Sequence, residues 1–146
     1  MFKNNIIVIL FLFLLSALLL GCSQEDQSSL TESSTFKHDN LTLNGVQGNI
    51  GFLRENGEPN EPDFPANQGR LYTIYILDDS KDLLDKNLKM TATQKDTGET
   101  IELGEFTNWG INPAKLGFGQ EGLWKINVTI DQKPYVSFVI KVEKVK

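Results

Sequence analysis

From Gly122 to Val142 the chain reads GLWKINVTIDQKPYVSFVIKV, with apolar and polar side chains alternating residue by residue. Successive side chains of an extended strand point to opposite faces, so a period of two dictates a strand with one buried and one wet face. Trp124, Ile126, Val128 and Ile130 share one parity; Lys125, Asn127 and Thr129 take the other. Asp131-Gln132-Lys133 carries turn chemistry, and Pro134 suits the start of a strand, where no ladder donor is needed. Val136, Phe138, Ile140 and Val142 then resume the alternation. The segment reads as an antiparallel hairpin whose apolar side must be covered by a second layer, with Trp124 at the centre of the resulting core.

The same signal recurs upstream. LKMTATQK sets Leu88, Met90 and Ala92 against Lys89, Thr91 and Thr93, and Thr100 to Leu103 returns after a turn at Lys95–Glu99. RLYTIYIL, residues 70–77, is apolar at nearly every position, which predicts a central strand covered on both sides. Val46 to Leu53 predicts another strand, with Gly48 and Gly51 marking a bulge or a close backbone approach. Lys115–Phe118 predicts a short strand, and Leu41–Leu43 an edge pairing. The stretch 78–87, DDSKDLLDKN, has room for one helical turn. No long amphipathic helix and no internal repeat is present. About seven strands separated by turn residues predict an all-β fold, an antiparallel β-sandwich over residues 36–146.

The amino terminus obeys different rules. Residues 6–20 read IIVILFLFLLSALLL, with Ser16 the one polar side chain. As a helix this run spans about 22 Å at roughly 1.5 Å per residue, short of the roughly 30 Å hydrocarbon core of a bilayer. The length suits a signal-peptide apolar region, and Lys3 supplies a minimal positive start. The run ends in Leu19-Leu20-Gly21-Cys22, which resembles a bacterial lipobox: an aliphatic residue three before the cysteine, a small residue just before it. The resemblance implies cleavage between Gly21 and Cys22, diacylglycerol on the Cys22 sulfur and an address on the extracytoplasmic face of the cell membrane. Two acyl chains on one residue suffice for stable anchoring. An uncleaved anchor, or an ordinary signal peptide leaving a free thiol, are the alternatives. Cys22 is the sole cysteine of the chain, and a leftover exported thiol would be a reactive liability. Residues 22–35 then form the lipidated cysteine and a tether. In SQEDQSSLTESST, residues 23–35, only Leu30 is apolar, so the stretch cannot bury enough surface to offset its ordering entropy. Fully extended it reaches about 45 Å.

Charge narrows the partners. The chain holds 14 basic and 19 acidic side chains, and only Lys3 lies before Cys22, so removal of residues 1–21 leaves a formal charge of −6. That balance argues against nucleic acid, whose phosphates demand Lys and Arg, and against a polybasic membrane patch. Gly117-Phe118-Gly119-Gln120-Glu121-Gly122 matches G-x-G-x-x-G, but its third glycine leads into a strand rather than a helix, so no dinucleotide site is expected. Glu55, Glu58, Glu61 and Asp63 crowd a loop stiffened by Pro59, Pro62 and Pro65; Asp78, Asp79, Asp82 and Asp85 form a second acidic stretch. Neither has the spacing of an EF-hand loop; solvated turns are the expectation, and an irregular extracellular calcium site is the alternative. One histidine, His38, lies beside the tether in a segment expected to fray, and zinc would need several His or Cys ligands. No metal, no cofactor and no catalytic residue is expected.

Four short stretches carry a wider likeness: Gly48-Asn49-Ile50-Gly51-Phe52, Phe64-Pro65-Ala66-Asn67, Thr97-Gly98-Glu99 and Gly122-Leu123-Trp124-Lys125. With them the domain resembles the immunoglobulin-like domain of uncharacterised lipoproteins from spore-forming Gram-positive bacteria. The resemblance implies a fold and an address and brings no activity with it. The expected function is a non-catalytic interaction module held to the membrane through Cys22, with an unknown protein or cell-wall partner. The alternative is a wall-glycan or carbohydrate-binding module in which Trp109, flanked by Asn108 and Asn112, faces the ligand, because an exposed indole stacks on sugar rings. Trp109 can equally cap one end of the core. A small extracytoplasmic enzyme is the distant third reading, and the sequence leaves oligomeric state open.

Overall fold

A computed structural model describes residues 30–79, 85–107 and 110–146. Among these residues there is no helix, and nine strands form two antiparallel sheets. The strands are β1 (Thr35–His38), β2 (Leu41–Val46), β3 (Ile50–Arg54), β4 (Arg70–Ile76), β5 (Leu88–Gln94), β6 (Thr100–Phe106), β7 (Gly110–Leu116), β8 (Gly122–Ile130) and β9 (Lys133–Val142). One sheet has the order β1-β2-β3-β4-β7 and the other β6-β5-β8-β9. The order β3-β4-β7 against β6-β5-β8-β9 is A-B-E against C′-C-F-G of an immunoglobulin-type sandwich, to which β1 and β2 add a hairpin.

The core is the set of inward parities from both sheets. Trp124 is fully buried, as its parity predicts; its Nε1–H donates to the Gln120 carbonyl at 3.0 Å and its ring meets Phe118 edge-on at 5.4 Å. Phe52 and Phe138 join the two sheets edge-to-face at 5.3 Å, and Phe64 stacks on Tyr72 at 5.4 Å. Such ring pairs contribute about 0.5–1.5 kcal/mol each beyond their buried area. Phe64 reaches the core from the Pro-rich loop. That loop is sewn to both sheets, because Glu143 N–H donates to Phe64 O, Ala66 N–H to Glu143 O and Asn67 N–H to Phe118 O.

Several boundaries differ from the sequence reading. Val46–Leu53 is not one strand: β2 ends at Val46, Gly48 takes φ +80° in the turn, and β3 begins at Ile50. Gly51 does mark a close approach, since a Cβ there would lie 2.6 Å from Leu43 Cδ1. The Leu41–Leu43 segment lies in β2, inside the sheet, and β1 is the edge. His38 belongs to that ordered edge strand, opposite Leu41 and 6.3 Å ring to ring from Tyr75. Strand β1 forms because Asp39 and Asn40 both adopt positive φ, +46° and +66°, the geometry of a two-residue hairpin turn. Order begins before Phe36: Ser33 N–H donates to Val139 O, and Val139 N–H donates to Ser33 Oγ, both at 2.9 Å. Of the expected Lys115–Phe118 strand only Lys115 and Leu116 are in a strand, the end of the longer β7, and Phe118 makes an isolated bridge to Ala66; Pro113 is tolerated because β7 is a sheet edge.

Strand β4 is central but is not covered on both sides. Tyr72, Ile74 and Ile76 are buried, whereas Leu71 is 43% exposed and Thr73 and Tyr75 are half-buried. Aromatic and β-branched residues suit a pleated surface whether or not a second layer covers it, so apolar density alone overstates burial. Residues 1–29, the helical turn expected within 78–87 at positions 80–84, and positions 108–109 lie outside the described residues.

Candidate functional site

The β3–β4 connection stiffens one end of the sandwich and has little chemical freedom. Arg54 donates to the carbonyls of Asn56, Glu58 and Glu61, while its Nε is buried without a partner among the described residues. Arg70 grips the Glu61 carboxylate with two bonds, Nε to Oε2 at 2.8 Å and Nη2 to Oε1 at 2.7 Å. The Arg70 hydrogen bond holds the Glu61 carboxyl below the usual carboxylate range, although its near-complete enclosure opposes this. Glu55 accepts from Thr73 Oγ1 and Asp63 from Asn44 Nδ2, so three of the four acids of this loop are engaged by protein groups. Among the described residues no group of three or more His, Cys, Asp or Glu side chains is placed to hold a metal ion.

The opposite end carries the β2–β3 turn, the crossover from β4 to β5, the β6–β7 connection and the β8–β9 turn. Tyr135 ties three of these elements together. A bulge in β9, where Val128 pairs with Val136 but Thr129 pairs with Pro134, leaves Tyr135 as the extra residue and re-aims it. Its hydroxyl donates to Asp78 Oδ2 at 2.6 Å and accepts from Asn49 Nδ2 at 2.8 Å. Burial, and then the Asp78 hydrogen bond, push the Tyr135 phenol up to about 12.

The outward side of the β3-β4-β7 sheet is a different surface. Pairing sets Leu71 beside Lys115, Thr73 between Leu53 and Pro113, and Tyr75 between Gly51 and Ile111. Leu71 and Ile111, exposed by 43% and 67%, are the large apolar side chains left open to solvent among the described residues. They lie on one face of adjacent strands, with Thr73, Tyr75 and Pro113 filling the space between them. The basic groups at its margin are Lys115 and, against Tyr75, His38. This face went unnoticed in the sequence because Ile111 sits in a loop-like context, Trp-Gly-Ile-Asn-Pro; the signal that marks it is the alternation of Ile111, Pro113 and Lys115 with the half-buried Asn112 and Ala114.

Of the residues singled out as ligand-facing, Asn112 pairs with Ile74 and so sits on the inward side of β7, half-buried. Trp109 and Asn108, like Gly21 and Cys22, lie outside the described residues. The G-x-G-x-x-G stretch forms the loop between β7 and β8, and Gly122 at φ +115° opens a strand, so the phosphate-binding helix is missing from that place.

No family model matches the chain, and no curated protein is similar to it in sequence. Among solved structures, a crystal structure of a Bacillus anthracis protein provisionally named a lipoprotein superimposes with a TM-score of 0.62 at 18% identity, over 80% of this chain and 89% of that one. At such identity the likeness is one of fold, and it reaches a spore-forming Gram-positive bacterium.

Proposed function

We propose that the chain is a lipid-anchored extracytoplasmic lipoprotein whose sandwich is a non-catalytic interaction module, docking a protein partner on the outward face of β4 and β7. The address rests on the Leu19-Leu20-Gly21-Cys22 border and is supported by a fold shared with a protein provisionally named a lipoprotein. The observation that carries the docking role is the pair Leu71 and Ile111, uncovered on one sheet face with Tyr75 and Pro113 between them. Exposed apolar groups gathered on one face, rimmed by polar ones, are what a protein interface uses. The rim indicates the partner's chemistry. The charged groups bordering this patch are of both signs: Lys115, which has no carboxylate partner among the described residues, and Glu55, whose carboxylate is occupied by the Thr73 hydroxyl. The fitting partner is a protein surface with aliphatic or aromatic groups at its centre and a carboxylate opposite Lys115.

The non-catalytic reading is supported by the engagement of the enclosed acid: Glu61 is held ionised between Arg70 and Arg54 and is unsuited to proton transfer. The carbohydrate reading through Trp109 draws no support from Asn112, whose side of β7 is the inward one. Two experiments test the proposal in order. Cys22→Ala should abolish incorporation of labelled fatty acid and leave the precursor unprocessed; a variant that is still processed and membrane-bound would refute the anchor. With the anchor intact, Ile111→Asp should abolish a specific crosslinked adduct on intact cells, and an unchanged adduct would refute the docking face.

A further inference from the structure

The outward side of the other sheet has the opposite character. Around the β8–β9 turn, Asn87, Lys89, Glu105, Thr129, Asp131 and Gln132 line a recess of about 660 Å³, within the roughly 300–1,000 Å³ range of ligand pockets. Every one of these side chains is polar. Their arrangement is fixed by the backbone: Asp131 N–H donates to Asn87 O at 3.0 Å, Asn87 N–H donates back to Asp131 Oδ1 at 3.3 Å, and Lys86 holds Asp131 at 2.9 Å. Asp131 and Gln132 both adopt positive φ, +47° and +68°, so the turn is tight. A bulge in β6, where Met90 pairs with Gly104 but Thr91 pairs with Glu102, puts Glu102 and Glu105 on one face despite their odd spacing. Both therefore reach Lys89, at 2.7 and 3.5 Å.

The charges cancel. Lys86 and Lys89 face Asp131, Glu102 and Glu105, and each charged group has an opposite partner. The neutral groups are left with hydrogen-bonding capacity. Gln132 in the recess, and the row Thr91, Asn127 and Ser137 that the pairing sets side by side across β5, β8 and β9, make no side-chain hydrogen bond with another described residue. Amides and hydroxyls of this kind donate and accept equally.

We propose that this face, from the recess along Thr91, Asn127 and Ser137, binds a neutral hydroxylated chain, a segment of glycan. A phosphodiester polymer meets three carboxylates there, a polycation meets two lysines, and a peptide finds no apolar wall to bury its side chains. A neutral polyol needs fixed donors and acceptors in a row, and a rigid turn lowers the ordering cost of providing them. The site lies on the other sheet from the β4–β7 face, so it stands or falls independently of the protein-docking proposal.

The test is titration of the full acylated chain, in detergent micelles and labelled with nitrogen-15, with two neutral tetrasaccharides: β-linked N-acetylglucosamine and β-linked glucose. A glycerol-phosphate oligomer serves as the charged comparator. At least one neutral tetramer should give saturable shifts confined to residues 87–91, 105, 127–132 and 137, and Gln132→Ala with Asn127→Ala should weaken binding at least fivefold. Both variants should keep the parent melting temperature; should Asn127→Ala fail to fold, the exposed Gln132→Ala alone decides. Absence of shifts with both sugars at 10 mM, equal shifts with glycerol phosphate, or binding unchanged in the variants would overturn the proposal.

Discussion

Gly51 gives the sharpest test of how the amino-terminal hairpin is joined to the sandwich. It sits on the outward side of β3, opposite Gly45 and Tyr75. A Cβ at this position would lie 2.6 Å from Leu43 Cδ1, 2.9 Å from Leu43 Cβ and 3.1 Å from the tip of the Phe36 ring. Leu43 is fully buried yet does not belong to the central core cluster; it fills a separate contact between the β1–β2 hairpin and the sheet. The φ of Gly51 is not in the left-handed region, so Gly51→Ala acts through space alone. Forcing one methyl into such a contact costs about 1–3 kcal/mol, or a fall of roughly 4–12 °C in melting temperature for a domain of this size. Leu43→Ala alone should cost about 2–5 kcal/mol through its cavity. In the double variant the Cδ1 contact at 2.6 Å is gone while the position-43 Cβ and the Phe36 ring tip remain at 2.9 and 3.1 Å, so the Gly51→Ala cost should fall without vanishing and the cycle should show a coupling of about 1 kcal/mol. Urea unfolding of the four proteins measures this, and amide exchange should show the added opening confined to β1 and β2 in Gly51→Ala. Additivity within about 0.5 kcal/mol, or faster exchange throughout the sandwich, would refute the reasoning.

Two further predictions concern groups that close the ends of the sandwich. Gln94 is 2% exposed, and its Oε1 accepts from Asp96 N–H, Thr97 N–H and Thr97 Oγ1–H. Gln94→Ala should therefore cost about 2 kcal/mol, as three turn donors lose a buried acceptor and only some regain water, with faster amide exchange at Asp96 and Thr97. A loss under about 0.5 kcal/mol would mean the turn holds itself. Tyr135, with its folded pKa raised to about 12, contributes stability that is fully present below the ordinary tyrosine value of about 10 and is lost as pH rises toward 12. Urea midpoints from pH 9 to 12 should show the parent losing stability relative to Tyr135→Phe across that window; parallel curves would contradict the Asn49–Tyr135–Asp78 arrangement.

The fold was legible where parity was clean. The 122–142 hairpin, the 88–103 pair and the central place of Trp124 follow from alternation alone, because a period of two leaves one choice of inward face. The strand count was less legible. Asp39-Asn40 and Gln47-Gly48 are turns only by virtue of positive φ, and Thr35–His38 looks too polar to pair until the turn fixes it opposite Leu41–Asn44. The outward face of β4 was misjudged because Leu71 and Tyr75 read as buried when only the pairing shows which side lacks a cover. The polar recess could not be read at all. It depends on the bulge at Leu103 that brings Glu102 and Glu105 onto one face, and on Asn87 and Asp131, 44 positions apart, meeting across the sheet. Both are products of register, which composition and spacing do not encode.

The central claim is that a lipid-held sandwich engages another protein through the face of Leu71 and Ile111. A photoreactive amino acid placed at position 111, at 71 and, as a comparison, at the exposed Gln120 of the β7–β8 loop tests it most directly in intact cells producing the acylated chain. The account predicts one discrete adduct from 111 and 71, lost in each case when the other position is changed to Asp, and none from 120. An acylated chain giving no adduct at 111 and 71, an equal adduct from 120, or an adduct of twice the chain's mass would contradict it; the last would mean that the face meets a second copy of this chain rather than a different protein.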